Sequence, residues 1–123
     1  MGTPQSVKKD IYITRNIPFN PTKAWDFYNI IDGEDVLIDI SLYDDAVLIA
    51  RKDYSEAVAF EWSVTNRKLS FSTTNLVFNV SSADTLALIE GTYTYNLKFI
   101  STTETEFEGS HGIACIANNT ITA

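Results

Sequence analysis

The sequence contains few of the residues on which catalytic, metal-binding and nucleic-acid-binding sites usually depend. Among 123 residues there are one cysteine and one histidine, and 9 basic residues stand against 16 acidic ones, a formal charge of −7. A lone cysteine cannot form an internal disulfide, so the fold does not require an oxidising compartment. Nucleic acids and anionic membranes attract clustered positive charge, and the acidic balance therefore argues against both as partners. No apolar run approaches the ~20 residues that a transmembrane helix needs.

His111 and Cys115 are the residues from which a base and a nucleophile would have to be built. A strand rises ~3.3 Å per residue, which places residues four positions apart on the same face but about 13 Å from each other. That distance is too long for the hydrogen bond that activates a nucleophile. The sequence therefore predicts a strand histidine and a small core thiol, with no catalytic residue, no cofactor and no enzymatic activity.

Short segments of alternating apolar and polar residues make up most of the chain, and proline, with 3 residues, is scarce. Turn signals such as those near Asn66 and Thr74–Asn75 separate these segments. Such period-two patterns predict an all-β antiparallel sandwich of about seven to nine strands. Residues 36 to 52 are predicted to form a hairpin that bends at Asp44 and Asp45. The apolar residues expected to share the inner faces include Ile11, Ile13, Val58, Phe60, Trp62, Leu76, Phe78, Val80, Tyr93, Tyr95, Leu97 and Phe99.

The stretch SSADTLALIEG, residues 81 to 91, departs from this alternation and predicts one short helical turn. Ser82 is the expected N-cap, and Asp84 falls in the first turn, where a carboxylate interacts favourably with the helix dipole. Gly91 can adopt the left-handed conformation that ends such a turn. Because a helix this short is marginal alone, we expect the turn, near residues 82 to 90, to close one end of the sandwich.

Acidic residues cluster in two predicted turns, DGED at 32 to 35 and YDD at 43 to 45. Calcium binds where several oxygen atoms converge, and two turns that met at one end of the sandwich could supply them. The spacing lacks the alternating Asp/Asn pattern of a calcium loop, so a solvated acidic edge that discourages unwanted strand pairing is the favoured interpretation. The calcium candidates are Asp32, Glu34, Asp35, Asp44 and Asp45.

The aromatic residues divide into predicted core and predicted surface. Trp25 and Trp62 share their parity with Phe, Ile or Val neighbours, which favours core packing over an exposed platform on which a sugar could stack. Tyr12, Tyr28 and Tyr43 have the opposite parity from the aliphatic residues of their segments. Since tyrosine is enriched in protein interfaces, these three are predicted to form an exposed adhesive surface.

Four stretches carry a resemblance to a known group of proteins: ITRNIPFNPTKAWDF, DVLIDISLYDDAVLIARKD, SSADTLALIEGTYTYNLKF and EFEGSHGIACIANNTIT, which together cover most of residues 11 to 122. In this order they resemble the small immunoglobulin-like virion proteins of tailed bacteriophages. They are also similar to the N-terminal domains that attach phage baseplate and fibre proteins to the particle. In that family a strand is followed by a short helical turn, a G-x-Y-x-Y/W-x-L strand and a glycine-containing last strand. The resemblance therefore implies an immunoglobulin-like sandwich.

The resemblance further implies a structural role in the tail, baseplate, fibre adaptor or capsid surface of a virion, after synthesis in the host cytoplasm. The expected partners are other copies of the chain and other virion proteins, in a homo-oligomer or a larger symmetric assembly. Residues 1 to 10 are predicted to form an extended arm able to add to a neighbour's sheet, and residues 11 to 123 a single sandwich domain. A carbohydrate-binding or adhesive module that recognises a host surface is the alternative. The interface candidates are Val7, Lys8, Lys9, Tyr12, Tyr28 and Tyr43.

Overall fold

The computed structural model describes residues 3–4, 6–19, 21, 25–52, 57–72, 74–104 and 106–118, and the regular structure within these ranges is mostly β-strand. A 3₁₀ turn spans Ile40–Leu42, and a short helix, α1, spans Ser82–Leu86. The strands are β1 Thr3–Pro4, β2 Val7–Lys8, β3 Ile11–Thr14, β4 Tyr28–Ile31, β5 Glu34–Leu37, β6 Asp45–Lys52, β7 Val58–Ser63, β8 Leu69–Ser72, β9 Asn75–Phe78, β10 Gly91–Ile100 and β11 Phe107–Ala117.

The larger sheet has the strand order β7-β6-β10-β11, and both β2 and β3 pair with the outer edge of β11. β10 runs antiparallel to β6 and β11, whereas β2 and β3 run parallel to β11. Along β10 the burial alternates without exception from Tyr93 to Phe99, as the period-two pattern predicted. Its aromatic and leucine side chains face the core, and Thr94 and Lys98 face solvent.

The opposite layer consists of a three-stranded sheet, β1-β4-β5, and the β8–β9 hairpin. Isolated bridges from Trp25 to Leu76 and from Phe19 to Val80 join β9 and the residues after it to the chain that precedes β4. Ring contacts connect this layer to the larger sheet: the Trp62 and Phe78 centroids lie 6.1 Å apart, and those of Phe19 and Trp62 lie 5.4 Å apart. The predicted all-β sandwich is confirmed, and Trp25 and Trp62 are both core residues.

A glycine in β11 leaves room for three aromatic rings of the core to pack together. The β10–β11 register shifts between Leu97 and Lys98, so that Gly109 is the extra residue of a β-bulge. Gly109 is buried against the rings of Phe27 and Phe99, whose centroids lie 4.8 Å apart with the edge of one toward the face of the other. The Phe99 ring also stacks on that of Phe107 at 4.8 Å. A side chain at position 109 would occupy the space that these rings fill.

The predicted helical turn is confirmed, but its N-cap lies one residue earlier than predicted. The Ser81 hydroxyl accepts a hydrogen bond from the Asp84 backbone N–H at 3.2 Å, and an Asp84 carboxylate oxygen accepts one from the Ser81 N–H at 2.9 Å. This reciprocal pair is a capping box, and it places Ser82 inside the helix. Gly91 does not cap the helix, which ends at Leu86; it begins β10 with a φ of 154°.

The prediction of a hairpin across residues 36 to 52 is wrong, because β5 pairs with the strand before it. The ladder runs from Tyr28 opposite Leu37 to Ile31 opposite Glu34, around a turn at Asp32 and Gly33. Both turn residues have positive φ, 53° and 79°, the type I′ geometry that Asp-Gly favours in two-residue hairpin loops. The chain then passes through the 3₁₀ turn to β6. The hairpin of β4 and β5 and the two-residue strands raise the number of strands in the described chain above the predicted range.

Candidate interaction site

The N-terminal interface candidates lie along the edge of the larger sheet and pair with the chain's own β11. Val7 and Lys8 are exposed on β2, and the Lys9 backbone N–H donates to the His111 carbonyl at 2.8 Å. Lys9 also places its ammonium 4.6 Å from the centre of the Trp25 ring, a cation–π distance. Tyr12 on β3 is 74% exposed, the largest exposed fraction among the predicted tyrosines. Whether this edge contacts a neighbouring molecule stays a prediction.

A cluster of polar side chains that the sequence analysis did not identify joins the N-terminal segment to β11 at the protein surface. The Ser6 hydroxyl lies 2.7 Å from Glu108 Oε1 and 2.8 Å from His111 Nδ1, and Glu108 Oε1 is 3.3 Å from the same ring nitrogen. In a Ser-His-acid triad the serine and the carboxylate contact opposite nitrogens of the imidazole. Here Ser6 and Glu108 both contact the same nitrogen, Nδ1, so the cluster is not arranged as a triad. We interpret it as a set of contacts that holds the N-terminal segment against β11. The parallel pairing of β2 with β11 brings these residues together although they are far apart in sequence.

Tyr43 does not belong to the predicted exposed surface. It follows the 3₁₀ turn instead of lying in a strand, so the parity rule does not apply to it. Its ring is half-buried, 5.8 Å from the Phe99 centroid and 5.4 Å from the Phe107 centroid. Burial, and then the charge of Glu104, raise the pKa of Tyr43 above its ordinary value. Its aromatic ring contributes to the core.

The acidic side chains considered as calcium ligands do not converge on one point, and Asp44 and Asp45 instead accept hydrogen bonds from nearby backbone groups. Asp44 Oδ2 accepts the backbone N–H of Thr102 at 2.7 Å, and Asp45 Oδ1 accepts that of Val64 at 2.9 Å. Asp32, Glu34 and Asp35 are exposed on the hairpin formed by β4 and β5. Among the residues that the structure describes, no group of three or more His, Cys, Asp or Glu side chains is placed to hold a metal ion.

The hairpin of β4 and β5 is the most unusual surface in the described part of the chain. None of its strand residues is buried, although most of them are large and apolar. β5 is an edge strand, paired with β4 on one side only in the described sheet. Tyr28, one of the interface candidates, lies on this hairpin. The other apolar residues exposed on it are Ile30, Val36 and Leu37.

An apolar groove of about 350 Å³ lies where β7 and β10 approach the segment after α1. Val58, Phe60 and Tyr93 line it from the larger sheet, and Ile89, which is 77% exposed, lines it from the segment after the helix. The Tyr93 hydroxyl donates to the Ile89 carbonyl at 2.8 Å and fixes this segment against the sheet. The Asp32-Gly33 turn is a sequence signal that could have identified the hairpin, whereas the groove has no such motif.

Comparison with known proteins adds no relative to this description: no family model, no curated protein and no solved structure matches the chain. In the described ranges, no helix combines the length and the apolar composition needed to cross a membrane.

Proposed function

We propose that this protein is a non-enzymatic structural component of a tailed-bacteriophage virion, in the tail, the baseplate, a fibre adaptor or the capsid surface. It would act through symmetric contacts with copies of itself and through contacts with other virion proteins. The observation that carries the proposal is the hairpin of β4 and β5, which exposes large apolar side chains that the chain's own core does not cover. Such surfaces on soluble proteins mark interaction sites.

Details of the sandwich support the immunoglobulin-like part of the proposal. Tyr93 lies near the start of β10 and donates its hydroxyl to the carbonyl of Ile89, four residues upstream. A tyrosine at this corner, bonded to the backbone a few residues before it, is a feature of immunoglobulin sandwiches. The capped helix α1 stands immediately before this strand, as in the family that the sequence resembles.

Exposed aromatic and aliphatic groups outside the hairpin supply surface for contacts between copies. Tyr12 at the N-terminal edge and Ile89 at the apolar groove are the two most exposed of the large apolar residues in the described chain. They lie on different elements, so that one subunit has separate surfaces for separate neighbours. Subunits of closed rings and of filaments use heterologous contacts of this kind.

Light scattering after size exclusion, from low micromolar to millimolar protein, tests the assembly role. We expect a discrete oligomer or a mass that rises with concentration, and we expect Tyr12→Ser and Ile89→Ser to reduce it. Val77→Ser is the matched control, because Val77 is an exposed strand residue outside both surfaces. These substitutions are cleaner than deletion of residues 1 to 10, which would also remove β1 and β2 from the chain's own sheets. A monomer at every concentration would argue against symmetric self-assembly.

The carbohydrate-binding alternative stays a prediction. Trp25 and Trp62 are buried, which leaves the exposed ring of Tyr12 as the clearest aromatic surface for a sugar among the described residues. If the chain stays monomeric, a glycan array with Tyr12→Ser as the paired variant would test that alternative directly.

A further inference from the structure

The hairpin of β4 and β5 exposes both its faces and one of its edges. Residues directly opposite each other in the ladder share a face, so Tyr28, Leu37 and Ile30 lie together on one face. Val36 lies on the other face, and it is 42% exposed, close to the 43% of Leu37. In the described sheet the outer edge of β5 has no neighbouring strand, which leaves backbone N–H and C=O groups available there. Such an edge can accept an additional strand.

The same hairpin is strongly acidic. Asp32 lies in its turn, and Glu34 and Asp35 follow in β5, all three exposed. The ion pair of Lys68 with Asp84 and the contact of Glu108 with His111, both within the described residues, lie on other elements. The edge therefore combines apolar side chains with negative charge that no described ion pair neutralises.

We propose that the free edge of β5 binds an extended segment of another polypeptide in which lysine or arginine alternates with apolar residues, and that this segment adds to the sheet as a strand. The basic side chains of such a strand share one face and would pair with Glu34 or with Asp35, and the apolar ones on its other face would then pack on Leu37 or on Val36, respectively. Backbone bonds give affinity in this mode of recognition, and alternate side chains give specificity. The inference rests on the proposed assembly role, for which it names the chemistry of one partner.

A second copy of the chain fits this edge less well than a basic partner does. Two β5 strands paired edge to edge would bring Glu34 and Asp35 of both copies into one short ladder. Like charges placed opposite each other destabilise a strand pair. The formal charge of −7 adds long-range repulsion between copies at low ionic strength.

Titration of the ¹⁵N-labelled protein with the capped peptide Ac-TKVKTKVKT-NH₂ tests the inference. We expect the amide signals of residues 34 to 37 to shift and their hydrogen exchange to slow, with binding that weakens as salt rises. A peptide with glutamate in place of lysine should bind at least about tenfold more weakly, because it reverses every charge pair. A peptide with proline in place of both valines keeps the charge but loses the backbone N–H donors at those positions and resists extended pairing, and it should fail to protect the amides.

The double variant Glu34→Lys/Asp35→Lys should lose about tenfold or more in affinity for the lysine peptide and gain affinity for the glutamate peptide. Glu61→Lys/Glu90→Lys makes the same change in net charge on exposed residues of other elements and should bind nearly as the parent does. Thermal unfolding of each variant checks that it is folded.

Three results would overturn the inference. The first is equal binding of the proline peptide, which would mean that charge alone, without strand pairing, attracts the peptide. The second is peptide-induced shifts outside the hairpin. The third is concentration-dependent shifts of residues 34 to 37 without peptide, which would assign the edge to a second copy. A chain that assembles with itself but ignores the peptide contradicts only this inference, whereas a monomer that binds the peptide contradicts only the symmetric self-assembly.

Discussion

Alanine at position 109 should destabilise the protein by forcing two buried rings apart. A Cβ built on Gly109 would lie 2.6 Å from Cε2 of Phe99 and 2.8 Å from Cδ1 and Cε1 of Phe27. Carbon atoms of packed side chains are normally ~3.5–4.0 Å apart, so each ring would have to retreat by about 1 Å. Phe99 is fully buried and stacks on Phe107, so it has little room to move. We expect a loss of about 2 to 3 kcal/mol in the free energy of unfolding, the upper part of the range for overpacked cores.

Urea unfolding measures this loss, with the fluorescence of the buried Trp25 and Trp62 as the signal. Gly33→Ala is the matched control, because a Cβ there meets nothing within 4 Å and the residue has a φ of 79°. Its cost should be limited to the left-handed backbone, about 1 kcal/mol. The comparison separates steric overlap from the general effect of replacing glycine.

A second substitution tests whether the Phe27 ring is the obstacle. Phe27→Leu replaces one of the two rings that crowd position 109 with a smaller side chain and costs stability by itself. If the overlap is real, Gly109→Ala should cost less in the Phe27→Leu background, with a coupling of at least ~0.5 kcal/mol. Strictly additive effects, or a Gly109→Ala variant within about 0.5 kcal/mol of the parent, would refute this account of the bulge.

Further predictions concern α1 and the tyrosines of β10. Ser81→Ala should lower the free energy of unfolding by about 1 kcal/mol because it removes the capping box, whereas Ser82→Ala should be nearly neutral. Thermal unfolding of both variants measures the difference. Tyr93→Phe should cost about 1 kcal/mol through loss of the bond to Ile89, and a cost below about 0.3 kcal/mol would mean that water replaces it. Burial raises the pKa of Tyr95 to about 12, above its unfolded value of ~10. The stability that this neutral tyrosine contributes is therefore complete below about pH 10 and is lost as the pH rises toward about 12, and Tyr95→Phe should make the alkaline decline shallower.

The strands of the larger sheet were predictable because one of their faces is buried. In β10 a partner layer covers one side along the whole length, so the period-two pattern of the sequence and the burial pattern of the structure coincide. The same holds for Phe60 and Trp62 in β7, whereas Val58, which was predicted to share their buried face, is 48% exposed at the start of the strand. Alternation predicts a strand reliably when every inward position contributes to one core.

The helix cap and the hairpin were missed for local reasons. Ser81 and Asp84 have the S-x-x-D spacing of a capping box, a signal that selects Ser81 over the serine after it. At the hairpin, two turn signals competed, Asp32-Gly33 and Asp44-Asp45. Only the first includes a glycine, which tolerates the positive φ that a type I′ turn requires at both its central residues. The alternation of apolar and polar residues that follows Asp32-Gly33 ends in a 3₁₀ turn. A pattern of period two does not distinguish such a turn from a strand.

The segment that enters β4 explains why parity alone could not locate the exposed surface. Trp25, Phe27 and Ile31 share one parity, yet the first two are buried and Ile31 is only partly covered. Burial decreases between Phe27 and Ile31, and the apolar pattern continues past the residues that the chain's own core buries. Tyr28 and Val36 are exposed beyond that point. An apolar pattern that outlasts its own core is the sequence property that makes the hairpin a candidate for covering by a partner.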